Sequence, residues 1–498
     1  MSILAIDIGT THCAAGVYAR DGSLLKHETG AYLLQSPEPS ALELDPEQVM
    51  EAVRAVIQSV VTGMRDRVRA MSFSVQGEAM VPVNQQGHPL GPALTTFDLR
   101  PAQEARQFIE RFGRERLYGL TGLPPDPMYS LAKILWWRAT RPDLTPQTVQ
   151  YLCFGGLLLR QLGLVPAMDY SLAGRTQLLD LHGKHWSAEI LDAAEIPVTT
   201  LPRLLQAGTF LGLIPERIAR EYGLPKGVQV VLGGHDQACS ALGCGVIEPG
   251  TAMDATGRVE CLLPVLAEPV INDRMLANHY GCYPHLLPDR YLALAYSFSA
   301  GSLLRWYRDT FGEAESEEAR VSGLSFHEIL LRKASIGPSP VLVLPHFSAA
   351  GTPFLDPQAR GAVLGLTLTT SKAQILKGLL DGLGYEMRLN LDVLESAGVA
   401  VDRVRVVGGG ALSATWLQLK ADIYRRTTEG SPVIDAPVHG AALLAGVGTG
   451  LYHDFAATAP RHETISHQVN PDPAAVELYE RQYRQYRQLY PALKRIQK

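Results

Sequence analysis

The sequence predicts an α/β protein of two similar halves that face each other across a cleft, and three observations carry that reading. At 498 residues the chain is too long for one core, so two large domains fit better than one or four. The first half alternates apolar strand-like runs with helical patterns, as in a sheet covered by helices. Turns built from an acid, threonine and glycine recur in both halves, each followed later by a strand-glycine-helix element, which reads as a diverged internal duplication.

Taken in order, ILAIDIG is a strand that ends in Asp7, and Gly9, Thr10 and Thr11 form a turn whose free N–H and hydroxyl groups suit phosphate oxygens. No GxxxxGK[ST] pattern occurs, which argues against a P-loop enzyme. AAGVYA, RAMSFSV and VQVVL continue the strand series, with PEQVMEAVRAVIQSVVTGM as a covering helix. VQVVL runs into GGHDQACSALGCG, where a glycine turn exposes Asp236. An acid placed there reaches a ligand without full solvation and is the first candidate for a catalytic base. Simple capping of the next helix is the competing role. A boundary falls near Ile247 to Gly250, giving domains 1–248 and 249–498. AMDATGR then repeats the opening theme with Asp254, Thr256 and Gly257, and VRVVGGGALSATWLQLKADIY presents a strand, Gly408 to Gly410 and a helix. The tail ELYERQYRQYRQLYPALKRI spaces its tyrosines and leucines along one helical face, as for a helix packed on the second domain.

Composition narrows the function classes. A net charge of −5 with scattered arginines leaves no basic footprint for nucleic acid. The six cysteines lack CxxC or Cys/His spacing, against a zinc site or a disulfide framework, and a reducing cytoplasm is expected. The N-terminal apolar run is only a strand long, and the run around Leu157 to Leu164 is broken by Arg160. Neither a signal peptide nor a membrane span is expected.

With these motifs in place, the chain resembles the FGGY carbohydrate kinases over nearly its whole length. MYSLAKILWW, with Lys133 and Trp136, follows that family's first signature, and the stretch from GAVLGL through Asp381 follows the second, departing at Gly378 and Leu379. Ser413, Trp416, Gln418, Asp422 and Gly301 resemble the xylulokinase branch. The resemblance implies an actin-like (ribonuclease H-like) fold in each domain, with ATP, Mg²⁺ and a small-molecule sugar in the cleft.

By the same resemblance, Asp236 takes the sugar hydroxyl's proton, Gln237 contacts the substrate and Asp7 holds Mg²⁺. Magnesium keeps much of its hydration and needs few carboxylates, which suits a lone aspartate. Thr10, Thr11, Thr256 and Gly257 stand where the family contacts the β- and γ-phosphates, and Gly301, Gly409 and Gly410 where backbone approaches adenosine. Gln76 and Glu78, in a QGE triplet unlike that of xylulokinases or glycerol kinases, and Asp98, in TFDLR without the family's tryptophan, complete the sugar set. Ala14 replaces a common basic residue, and Arg258 is the candidate to supply that phosphate contact. A ketopentose such as xylulose is the expected acceptor. Another sugar or polyol, or a non-kinase nucleotide sensor, stays open at this point, and a homodimer is one assembly the sequence allows.

Overall fold

A computed structural model of the chain describes residues 2–64, 67–324, 326–333, 337–455 and 465–496. In the first half a mixed sheet grows around β1 (Ser2–Ile8), whose residues are all buried. Antiparallel pairing joins β1 to β2 (His12–Ala19) and β2 to β3 (Leu24–Ala31). On the other side β1 runs parallel to β4 (Val68–Val75), and β4 parallel to β5 (Gln229–Val231). The unbroken burial of β1, apolar except at Ser2 and Asp7, is what a strand covered on both faces requires.

The second half repeats this plan. Its first strand, β6 (Gly250–Thr256), pairs antiparallel with β7 (Glu260–Leu266), and β7 with β8 (Tyr291–Ser297). β6 runs parallel to β9 (Val401–Gly408), and β9 to β10 (Thr427–Gly430). Each sheet is thus ordered third, second, first, fourth, fifth strand, so the duplication inferred from the turns exists in the topology. Parallel strands place their following loops at one edge, where α/β sheets bind ligands. Here those loops carry Gly9 to Thr11, Gln76 to Glu78, Thr256 to Arg258 and Gly408 to Gly410.

The covering helices are α1 (Pro46–Val61), α2 (Asp236–Gly243), α3 (Gly301–Phe311), α4 (Lys372–Ser396), α5 (Ala414–Tyr424), α6 (Ala436–Gly448) and α7 (Pro473–Tyr486). α1 opens with Asp45 accepting from Glu47 N and Gln48 N, and α4 opens on a full capping box between Ser371 and Gln374. α7 packs on the second domain, as its spacing predicts: Lys377 Nζ donates to the Tyr479 hydroxyl at 2.9 Å and the Tyr483 hydroxyl donates to Asp392 at 2.8 Å.

One helix crosses over. α6 follows the second sheet in sequence yet packs on α2, β1 and β4 of the first half. The crossing with α2 is closest at two glycines. A Cβ on Gly243 would lie 2.0 Å from the Ala436 carbonyl oxygen, and one on Gly440 2.0 Å from that of Cys239. Backbone contact this close leaves no room for any side chain. An apolar cluster including Ile3, Ala238, Leu263 and Leu444 therefore joins both halves. Among the described residues, no helix is long and apolar enough to cross a membrane.

Candidate active site

At the C-terminal end of β1, Asp7 is buried and its Oδ1 accepts from the Ser74 hydroxyl at 2.6 Å. Burial, then the charges of Asp236 and Asp435, push its pKa well above the ordinary carboxylate value. A buried carboxylate facing like charges is a position that a cation relieves, so Asp7 fits the Mg²⁺ expected from the sequence. The loop after it is held from below. Gln76 Nε2 donates to the Gly9 carbonyl at 2.8 Å, and the Thr10 hydroxyl donates to Gln76 Oε1 at 3.1 Å. Both ends of the Gln76 amide are thus bonded to the Gly9 and Thr10 turn.

Asp236 begins α2, with its side chain 26% exposed. Burial first, then the charge of Glu78, raises its pKa to about 7. Its Oδ1 lies 3.2 Å from His235 Nε2 and accepts from Gln237 N at 2.6 Å. Burial drives His235 down to about 3, so this histidine is neutral and acts as a wall of the site. The Gln237 Oε1 atom is buried without a hydrogen-bond partner. A carboxylate near pH 7 at the mouth of a cleft is suited to accept a proton from an alcohol.

Glu78 occupies a left-handed backbone conformation with φ 63°, and its side chain is buried. Its carboxylate accepts from Arg175 Nε at 2.6 Å and from the Thr96 hydroxyl at 2.7 Å. Burial works against this charge, but the Arg175 guanidinium above all offsets it and holds Glu78 below the usual value. Its backbone carbonyl accepts from Ser130 Oγ at 3.0 Å and Lys133 Nζ at 3.3 Å, which ties the first signature segment to the loop. Asp98 is enclosed elsewhere in the same domain: its oxygens accept from Leu42 N at 3.0 Å and Arg100 Nε at 3.1 Å. Thr96, between them in sequence, is the residue that reaches Glu78.

Across the cleft, Thr256, Gly257, Gly301, Gly409 and Gly410 line one pocket with Arg258 and Trp416. Gly301 starts α3 and donates its N–H to the Gly257 carbonyl at 3.0 Å, where a Cβ would stand only 2.6 Å from that oxygen. Arg258 Nη2 donates to the Thr11 hydroxyl at 3.4 Å and so bridges the threonine–glycine turns of the two halves. Beneath this pocket lies a buried cluster that the sequence did not reveal. Lys420 Nζ donates to Asp254 at 2.6 Å and to Glu260, and the Tyr424 hydroxyl donates to Asp254 at 2.9 Å.

The chain matches both domains of one known family, the N-terminal domain over residues 2–243 and the C-terminal domain over 256–449. It belongs to the FGGY family of carbohydrate kinases. It is 28% identical to a xylulose kinase of Staphylococcus epidermidis, covering 99% of this chain and 97% of that protein. It is 27% identical to a gluconokinase of Bacillus subtilis, covering 92% and 89%. The crystal structure of a gluconate kinase from Lactobacillus acidophilus superposes with a TM-score of 0.89 at 21% identity, covering 99% and 98%. The two-domain fold expected from the sequence is thereby shown, as is a sugar kinase that uses ATP as phosphate donor.

Arg175, Tyr129 and Tyr283 also belong to this site and escaped the sequence reading. Arg175 stands far from Glu78 in the chain, and no local pattern marks a buried arginine. Tyr129 lies inside the first signature, which is the one local pattern that marks its position.

Proposed function

We propose that the protein phosphorylates a ketopentose such as xylulose, with Asp236 as general base and Mg²⁺ held at Asp7. The substrate hydroxyl oxygen attacks the γ-phosphorus of ATP, the bond from that phosphorus to the β,γ-bridging oxygen breaks, and ADP leaves. The hydroxyl proton passes to Asp236. Magnesium, when bound, neutralises phosphate charge and orients the transferring group. Thr10, Thr11, Thr256 and Gly257 cradle the phosphates, Gly301, Gly409 and Gly410 admit adenosine, and Arg258 supplies the cation absent at Ala14. Gln237 and Glu78 bind the sugar. Gln76 serves by holding the Gly9 to Thr11 turn, and Asp98 by fixing Arg100 and the segment that carries Thr96.

The observation that carries this reading is that the charge of Asp236, after burial, raises the pKa of Asp7, so the two acids lie within electrostatic reach of each other. That proximity supports giving Asp7 the metal and Asp236 the proton in one shared reaction. The gluconokinase relative favours a second reading, in which an aldonate is the acceptor. Magnesium-dependent ADP release, measured over ketopentoses, polyols and aldonates, separates the two. Turnover of the aldonate alone overturns the ketopentose assignment, and turnover of none overturns the kinase assignment.

A further inference from the structure

Arg175 is 3% exposed, yet its Nη1 makes no hydrogen bond. The rest of the guanidinium is fixed. Nε and Nη2 both lie 2.6 Å from Glu78 Oε1, and the Tyr129 and Tyr283 rings flank it at 5.2 Å each. Tyr283 comes from the second domain and meets His235 edge-on at 5.5 Å, beside Asp236. Arg175, Asp126 and Tyr129 also line a narrow interdomain pocket with Tyr296. A buried donor left without an acceptor is destabilising, so an orphan this well anchored calls for a partner that arrives from outside.

The charge around it decides what kind of partner. Glu78 already matches the guanidinium, so a hydrogen bond is left over but not a charge. The carboxyls of Asp126 and Asp236 complete the neighbourhood, and Lys133 is directed to the Glu78 carbonyl. A substrate carboxylate would add a further anion beside these groups. We infer that Arg175 is a substrate-binding, specificity-determining residue whose Nη1 holds an uncharged hydroxyl or carbonyl oxygen of a sugar that carries no carboxylate. The inference rests on the kinase reading above and deepens it by naming the substrate class.

The test is sugar binding by calorimetry together with steady-state kinetics for wild type and Arg175→Lys. The panel is a ketopentose, its singly deoxygenated analogues, the matching polyol and an aldonate. R175K should raise Kd and KM for the uncharged sugar about tenfold or more, equivalent to about 1.4 kcal/mol, and leave KM for ATP within about twofold. The one analogue that lacks the bonded oxygen should be insensitive to the substitution. Unchanged sugar affinity in a folded R175K, equal losses for every analogue, or a wild-type preference for the aldonate that R175K removes each overturns the inference. Should R175K not fold, the paired Glu78→Gln/Arg175→Gln variant removes both buried charges and is read against Glu78→Gln alone on the same panel, so that the loss belonging to Glu78 cancels and only that of Arg175 remains. Binding of an uncharged sugar without turnover would sink the kinase reading while leaving the Arg175 measurement intact.

Discussion

The two halves share a strand order and a strand-end acid, yet they treat that acid in opposite ways. Asp7 on β1 receives one hydroxyl from Ser74 and faces the charges of Asp236 and Asp435. Asp254 on β6 is fully buried but met by the Lys420 ammonium and the Tyr424 hydroxyl. Burial disfavours the Lys420 charge, and Asp254 and Glu260 more than offset this, so the lysine is held protonated. Burial also pushes Glu260 up to about 8. Duplicated topology therefore fixes where the acids sit but not their chemistry. One half leaves its acid facing other carboxylates, and the other supplies a lysine from α5 and turns the acid into a buried support beside the Gly257 and Gly409 pocket.

The largest expected effect falls on the open half. Asp236→Asn removes the proton acceptor and keeps the shape, so kcat should fall by about 10²–10⁴ while ATP still binds. Because the base must be unprotonated and its pKa is raised to about 7, wild-type kcat/KM should climb on the acid side through about pH 7. D236N should lose that limb. Near-normal kcat in D236N, or a wild-type acid limb centred near pH 4, would remove Asp236 from the role.

Next comes a pair of substitutions with opposite sign. Lys420→Met leaves Asp254 and Glu260 buried without their cation and should cost about 3–5 kcal/mol, read as a lower Tm and denaturation midpoint. Asp7→Asn should do the reverse at neutral pH. A carboxylate whose folded pKa is raised gives stability that is full below its unfolded value and is lost as pH rises through the folded one. Removing the Asp7 charge should therefore raise Tm above that range, with the gain vanishing near pH 3. The same variant should need far more magnesium for half-maximal rate at unchanged sugar KM. Equal Tm losses for K420M and D7N would erase the contrast between the halves.

A smaller effect is expected at the sugar loop. Glu78→Gln should raise the sugar KM about tenfold, because a site built to bond a hydroxyl discriminates strongly when that partner is lost. The ATP KM belongs to the other half and should hold. Parallel changes in both constants would place Glu78 in folding rather than recognition.

Much of this was legible in the sequence because strand periodicity and glycine turns are local signals. The opening strand, its Gly9 to Thr11 turn, the Asp236 turn and the tail helix all follow from runs of fewer than about twenty residues. Residues that act through distant partners were not legible. Gln76 and Asp98 carry polar types suited to a sugar, and only the fold shows that their bonds go to Gly9, Thr10, Leu42 and Arg100. Lys420 sits in an amphipathic-looking helix, where a lysine is ordinarily solvated, and its burial depends on two acids more than 150 positions away. The crossover of α6 is hidden for the same reason: its Ala- and Gly-rich face records close packing but not against which sheet.

The smallest signal concerns how the halves move. The groups proposed for the sugar, such as Glu78 and Asp236, lie mainly in the first half, and those proposed for adenosine, such as Gly301, Gly409 and Gly410, in the second. The two are joined where α2 crosses α6, and Asp236 itself opens α2. A rotation at that crossing would carry the base toward the phosphate turns and close the narrow pocket at Arg175 over the sugar, excluding the water that competes as acceptor. Arg258 Nη2, 3.4 Å from the Thr11 hydroxyl, already links the facing turns of the two halves. Small-angle scattering should then show the greatest compaction with sugar and a non-hydrolysable ATP analogue together, less with either alone and least with neither. ATP hydrolysis without sugar should be slow. Four identical profiles with rapid sugar-independent hydrolysis would mean that the halves form a rigid, closed body, and that the contrast between them is one of chemistry alone.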